Sequence, residues 1–243
     1  MVLERKKSSE PLYLQLKGIL KNEILEGKYK PGDLIGTEME YAEAYNISRV
    51  TVRRAINELV QEGYLKSKRG YGTIVLPPKI KEPLIRIKSF SDEMKERGIQ
   101  PSTKWADIVI TKAFSDVADN LNLNEGDEVY RINRLRCGNG EPLVLFETYL
   151  RRELNLPLDN SIYYDSLYDY LREAKNISIK KLHQQICAIN ADKTLSEILE
   201  IEPRDAVLAI TRISYDKNNN VVEYTKGYYI ANRYEYYIKL EER

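Results

Sequence analysis

Apolar residues recur along the first third of the chain with the spacing of short amphipathic helices. Leu12, Leu16, Ile19, Leu20 and Ile24 share one helical face, and Gly27 follows where such a helix would stop. Pro31-Gly32-Asp33 predicts a turn. Thr37 and Glu40 have the T-x-x-E spacing of a capping box, which predicts a second helix from Thr37 to near Asn46. Ser48 can cap a third, in which Val52, Ile56, Leu59 and Val60 form one apolar stripe and Gly63 marks the end. Two short β-type runs follow, Tyr64-Leu65 and Thr73-Ile74-Val75-Leu76, around the basic, glycine-rich tip Lys66-Ser67-Lys68-Arg69-Gly70-Tyr71-Gly72. Three helices and a hairpin predict a winged helix-turn-helix over residues 1–76.

The pattern then changes. PPKIKEPLIRIK (77–88) cannot continue a helix and predicts an extended linker, leaving 89–243 as a second domain. That domain contains a pseudo-repeat: LNLNEGDEVYRINRLR (121–136) aligns with LEIEPRDAVLAITRIS (199–214) at an offset of 78. Each copy follows a short helix-like stretch, near 114–121 and 192–199, and precedes a turn and a return strand, 142–150 and 221–230. Two related helix-plus-hairpin units predict an antiparallel sheet with helices packed against it, an α+β domain with approximate internal symmetry.

Composition narrows the function. The 38 Lys and Arg balance 37 Asp and Glu, so any basic surface is local. Residues 1–78 carry 13 basic and 10 acidic side chains, a small positive excess on the helical segment. Residues 1–10, MVLERKKSSE, lack the apolar core of a signal peptide, and no run approaches the ~18 apolar residues of a membrane span. A cytoplasmic protein with no membrane partner is expected. Cys137, Cys187 and the single His183 cannot build the usual zinc site, and no nucleotide-binding glycine loop or catalytic triad is visible, so no metal, cofactor or catalytic residue is assigned.

The third helix opens Ser48-Arg49-Val50-Thr51-Val52-Arg53-Arg54, with Arg49 and Arg53 on one flank. Such a helix can lie in a major groove, where Arg reads guanine. A solvated face with Arg54 and Glu58 paired at i, i+4 is the plainer alternative. Residues 11–75 resemble the DNA-binding domain of GntR-type bacterial transcription regulators through Tyr13, Gly27, Pro31-Gly32, Glu38, Ser48-Arg49-x-Thr51-Val52-Arg53, Glu62-Gly63-Tyr64-Leu65 and Gly70-x-Gly72-Thr73. The resemblance implies contacts to double-stranded operator DNA from Arg49, Thr51 and Arg53, with Ser48 at the helix entry and Gly70 in the wing; Glu38, Arg54 and the wing cations Lys68 and Arg69 complete the candidate DNA-binding set. Met39, Gly36 and Tyr71 stand where the family usually carries Arg, Pro and a cation.

Residues 84–240 resemble the UTRA effector domain of the HutC branch of that family, whose fold is chorismate-lyase-like. The motifs are Ser89-Phe90-Ser91-Asp92-Glu93-Met94, Arg134-Leu135-Arg136, Glu147-Thr148, Asp165-Ser166-Leu167-Tyr168 and Glu223-Tyr224 through Tyr229 to Arg233-Tyr234. The resemblance implies a homodimer and a small-molecule effector, a phosphorylated sugar being the best guess. Ser89, Phe90, Arg134, Arg136, Ser166 and Tyr168 would sit near its phosphate, and Glu147, Glu223 and Tyr229 near its sugar. The spacing agrees, because Arg134 and Arg136 project to one strand face about 7 Å apart, where two guanidinium forks can grip an oxyanion. An exposed strand decorated by arginines fits the same spacing. Glu147 and Glu223 recur at similar places in the two return strands, with ordinary cross-strand pairing as the alternative. His183 reads as structural and both cysteines as passive. The reading is a ligand-responsive repressor released from a palindromic operator. Its rivals are an enzyme acting on a small anionic metabolite with an attached DNA-binding domain, and an architectural DNA binder.

Overall fold

Pro11 opens α1 (Leu12–Leu25), whose Leu16 and Leu20 are buried, and Gly27 ends it at φ 80°. The computed structural model describes residues 3–4, 10–68, 70–77, 79–83 and 87–238. The expected capping box forms: the Thr37 hydroxyl accepts from the Glu40 amide and the Glu40 carboxylate accepts from the Thr37 amide, starting α2 (Glu38–Tyr45). Asn46, left-handed at φ 49°, turns the chain into α3 (Arg49–Gln61), capped by Ser48. Val52, Ala55 and Leu59 of α3 pack with Leu16 and Leu20. Lys17 bridges Glu58 at 2.8 Å and Glu62 at 2.7 Å, and Lys21 bridges Glu62 at 2.9 Å, so the polar edges of α1 and α3 are tied as well.

The hairpin of β1 (Leu65–Lys68) and β2 (Gly72–Val75) completes this unit, with Leu65 and Val75 reaching its core. The strand takes in Lys66, Ser67 and Lys68, which the sequence reading placed in the tip. Gly70 sits in the tip at φ 77°.

The chain divides into residues 1–80 and 81–243, a division inside the expected 77–88 linker. That segment is not wholly free chain, because β3 (Ile80–Pro83) pairs with the last strand, β10 (Tyr234–Tyr237). The second unit is built on β4 (Pro101–Lys112), β5 (Glu128–Gly138), β6 (Glu141–Arg151), β7 (Lys181–Asn190), β8 (Ala206–Tyr215) and β9 (Val221–Ile230). They form one antiparallel sheet in the order β4-β5-β6-β9-β8-β7. That order is the pseudo-repeat made physical, two three-stranded halves meeting at the β6–β9 seam.

The helices α5 (Asp116–Leu121) and α7 (Lys193–Leu199) occupy equivalent places in the two halves. Isolated helices need about 12–15 residues to be even marginal, so tertiary contacts hold these two. Leu121 and Leu199, both fully buried, supply the anchors at about 1.5–3 kcal/mol each. The other sheet face carries α4 (Phe90–Glu96), a 3₁₀ turn at Asn160–Tyr164 and α6 (Leu167–Lys175); Tyr163, Leu167 and Leu171 close the core over Ile108, Ile132 and Leu150.

Candidate functional site

Strand alternation and register assemble a polar cavity under the starts of α4 and α6. Arg134 and Arg136 of β5 point to the face that carries Phe146 and Thr148 of β6, Glu223 and Thr225 of β9, and Arg212 of β8. Ser89, Phe90 and Ser91 cover it from α4, and Ser166, Leu167 and Tyr168 from α6. The free space is about 30 Å³. That holds one or two waters, so a larger ligand must displace lining side chains.

The electrostatics are unbalanced toward cation. Arg136 is 3% exposed and donates from Nη1 to the Asp165 carbonyl at 3.0 Å and from Nη2 to Ser91 Oγ at 2.9 Å. Arg134, 6% exposed, makes a long 3.4 Å contact to the same carbonyl and stands 5.9 Å from the centre of the Phe146 ring. Both Nε atoms are buried without a hydrogen-bond partner among the described residues. Burial pushes Arg134 down to about 10, and burial plus the charge of Arg134 pushes Arg136 down to about 9. Both remain cationic at neutral pH and, among the described residues, have no carboxylate hydrogen-bond partner.

Glu223, 2% exposed, is otherwise engaged, accepting from the Tyr168 hydroxyl at 2.5 Å and from Ser214 Oγ at 2.8 Å. Arg212 donates from Nε and Nη2 to Gln184 Oε1 at 3.0 and 2.8 Å.

Seven of the nine expected effector residues therefore line one cavity: Ser89, Phe90, Arg134, Arg136, Ser166, Tyr168 and Glu223. Tyr229 stands just behind, its ring 5.7 Å from and edge-on to that of Phe146. Glu147 is brought elsewhere. Arg134 opposes Phe146 and Arg212 opposes Thr225, so the offset between return strands is 79 and the counterpart of Glu147 is Lys226, its own cross-strand partner at the β6–β9 seam. Glu223 corresponds to Val144, and Glu147 lies on the opposite sheet face, accepting from the Tyr149 hydroxyl at 2.6 Å. Arg212, Thr148 and Thr225, which line the cavity, and Ser214, which donates to Glu223, were not among the expected effector residues. The signal for Arg212 was present: at an offset of 78 from Arg134, it had to share that face.

In the first unit, Ser48 and Thr51 hydroxyls meet at 2.8 Å over the start of α3, with Arg49 exposed beside them. The Arg53 guanidinium forks onto Glu38, Nε to Oε1 at 2.8 Å and Nη2 to Oε2 at 2.7 Å, which holds the Glu38 carboxyl below its usual value. Arg54 lies 3.7 Å from the centre of the Tyr13 ring and donates to its hydroxyl at 3.0 Å, while its contact with Glu58 is a loose 3.8 Å. Glu38, Ser48, Arg49, Thr51, Arg53 and Arg54 thus gather along α2 and α3. Lys68 and Gly70 lie in the wing, where the Lys68 ammonium stands 5.9 Å from the Tyr71 ring; Arg69 lies outside the described residues. Among the described residues no group of His, Cys, Asp and Glu could hold a metal, and no helix is long and apolar enough to cross a membrane.

Residues 12–75 match the family of bacterial regulatory proteins, gntR family, and residues 96–235 match the UTRA domain. The chain is 32% identical over 231 residues to the HTH-type transcriptional repressor NagR of Bacillus subtilis, covering 95% of each chain. It is 26% identical over 227 residues to the mannosyl-D-glycerate transport/metabolism system repressor MngR of Escherichia coli, covering 93% of this chain and 95% of that one. Among solved structures, PhnF from Mycobacterium smegmatis superposes with a TM-score of 0.64 at 25% identity, over 93% of this chain and 99% of that one.

Proposed function

The chain belongs to the gntR family of bacterial regulatory proteins and carries a UTRA domain, and from that premise we propose that it is a cytoplasmic, homodimeric repressor released from a palindromic operator by a small phosphorylated metabolite, a sugar phosphate fitting best. That it is a DNA-binding transcription regulator follows from the family itself, which sets the enzyme reading aside.

One observation carries the effector assignment: two adjacent buried guanidinium groups with unfilled donors, beneath serines that cap two helix starts. A dianionic phosphate accepts several hydrogen bonds at once and would offset the charge that burial leaves uncompensated. Arg134 and Arg136 take the phosphate, with Ser89 and Ser166 as added donors. Glu223 and Tyr168 meet hydroxyls at the other end, joined by Arg212, Thr148 and Thr225, and Phe90 and Phe146 wall the space between. Glu147 has no part in this assignment, and Tyr229 acts by backing Phe146.

In the first unit, Arg49, Thr51 and Arg53 read the major groove, Glu38 aims Arg53, and Lys68, Arg69 and Gly70 approach phosphates from the wing. Effector and operator compete through linkage: a ligand that favours the conformation with weaker operator affinity lowers that affinity by their coupling free energy.

Calorimetry on the full chain tests the assignment, titrating each candidate beside its dephosphorylated form. The phosphorylated form is expected to bind at least about tenfold more tightly, given roughly 1.5–3 kcal/mol per charged hydrogen bond. Arg134→Met and Arg136→Met should erase the difference. Equal affinity for both forms refutes the phosphate.

A further inference from the structure

Val50, in the first turn of α3, is 74% exposed, the most open large apolar side chain among the described residues. It lies on the helix face opposite the core stripe. Val52, Ala55, Ile56 and Leu59 are buried, whereas Val50 and the residues three, four and seven positions on, Arg53, Arg54 and Asn57, are all exposed. Helix propensity gives no reason for it either, since a β-branched residue at an open helix position is worse than Ala, Arg, Lys or Glu. Met39, 56% exposed in the first turn of α2, is a second open apolar side chain, standing where the family usually carries Arg.

A lone surface hydrophobe is ordinary and calls for no role. These two are not scattered. Glu38, which precedes Met39, takes the Arg53 fork, and Arg53 is one helical turn on from Val50, so the first turns of α2 and α3 meet at that ion pair. The company of Val50 also matters. Its exposed neighbours on α3 are Arg49, Arg53 and Arg54, and no other large apolar side chain of α3 is exposed with it. Such a face suits a polyanion that carries isolated apolar groups. A major groove is one: it has phosphates at its rims, guanine O6 and N7 for arginine, and the thymine C5-methyl for an apolar side chain.

We propose that Val50 and Met39 each pack on a thymine C5-methyl in every operator half-site, so that this chain reads part of its operator by apolar contact. This rests on the operator reading above and assigns two of its bases. Val50 is the sharper reader, because a helical valine is held largely to one χ1 rotamer and its methyls are fixed in place. Met39 is flexible and has no hydrogen-bond donor on its side chain, so it adapts to a methyl where an arginine would select guanine.

Selection from randomised duplexes yields the preferred operator. Each of its thymines is then replaced in turn by deoxyuridine, which keeps every hydrogen-bonding group and loses only the methyl. Binding at fixed salt is measured with the parent, Val50→Ala and Met39→Ala. Both side chains are exposed and Ala is a better helix former than either, so the variants should keep the parent's circular dichroism and melting temperature. At two thymine positions the parent should lose about fourfold for each half-site replaced, the effect of returning one methyl-sized group to water. The penalty at one position should vanish in Val50→Ala and at the other in Met39→Ala. A penalty lost in only one variant upholds that contact and overturns the other. If no sequence is enriched over competitor DNA, the operator reading falls and this inference with it. An enriched operator in which no replacement weakens the parent, or whose penalties persist in both variants, overturns the apolar contacts alone.

Discussion

Two guanidinium groups, buried without a carboxylate hydrogen-bond partner among the described residues, set the energetics of the candidate pocket. Burial lowers Arg134 to about 10 and Arg136 to about 9, below the ordinary guanidinium range of the unfolded chain, so their charged forms weaken the ligand-free fold at every pH below about 9, and the penalty is relieved as pH rises above that. Replacing such a charge by an apolar side chain of similar length is commonly neutral or stabilising. Arg136→Met is therefore expected to leave the ligand-free melting temperature unchanged or higher at pH 7 while abolishing the melting shift given by a phosphorylated effector; thermal melts with and without ligand check both halves. The Arg53–Glu38 fork makes a different prediction. If Glu38 aims Arg53 at the operator, Glu38→Ala and Arg53→Ala each weaken binding and do not add, with a coupling of at least about 0.5 kcal/mol in a double-mutant cycle at fixed salt. Additive losses would mean two independent roles. At this scale the sequence showed which side chains share a strand face, but not where two strands 80 residues apart come into register. Arg134, Arg136 and Glu223 share the cavity, whereas Glu147, matched with Glu223 by the resemblance and by its similar place in the return strand, lies on the opposite sheet face.

Elements were legible where local chemistry specifies them and obscure where only tertiary contact does. The capping box at Thr37, the Ser48 cap and the αL Asn46 fix the helix-turn-helix from within a few residues. Gly36 also has a local reason: its amide donates to the Tyr41 hydroxyl at 3.2 Å, a bond the family's usual proline cannot make. By contrast β4 and β10 gave little signal, since β4 alternates between exposed and half-buried positions over much of its length and β10 is four residues whose partner, β3, lies some 150 residues earlier. The bulge just beyond the Ser214–Glu223 pair, between Ser214 and Tyr215, was equally invisible. In the first unit the wing is the element to test. Lys68 ends β1 and Gly70 turns the tip at positive φ, so Lys68→Ala should weaken binding to all sequences alike and reduce the salt slope by about one unit, whereas Arg49→Ala should cost about tenfold or more and relax base preference. In the second unit, a Cβ at Gly227 would lie 3.0 Å from Tyr229 Cε2 and 3.2 Å from Phe146 Cε1. Gly227→Ala should thus shift the Phe146 wall, destabilising the chain by roughly 1–3 kcal/mol of overpacking and weakening the effector more than it weakens the operator.

A regulator of this size answers a metabolite only if its two units share one equilibrium. On the proposed reading the first presents a single reading helix, α3, so a long operator would call for two copies, and a two-fold pair would read a palindrome with half-sites about one helical turn apart, or a multiple of it. The second unit has the means to sense, a charged cavity of about 30 Å³ that must open to admit anything larger than water. Ser89 and Phe90 at the start of α4 and Ser166 and Tyr168 at the start of α6 cover that cavity, and α4 follows in the chain the segment that leads from the first unit. Coupling is then quantitative and reciprocal: if the effector weakens operator affinity by some factor, saturating operator must weaken effector affinity by the same factor. For a physiological switch this factor should fall between about 5 and 150, the range of 1–3 kcal/mol of coupling free energy. Measuring operator affinity at saturating effector, and effector affinity at saturating operator, in one buffer at one salt concentration gives the two factors independently. Equal factors in that range, abolished together by Arg134→Met, are expected of a chain whose pocket and reading helix belong to one two-state equilibrium. An operator affinity indifferent to an effector that binds the pocket tightly would mean that this ligand has equal affinity for both states, and another metabolite would then have to be the signal.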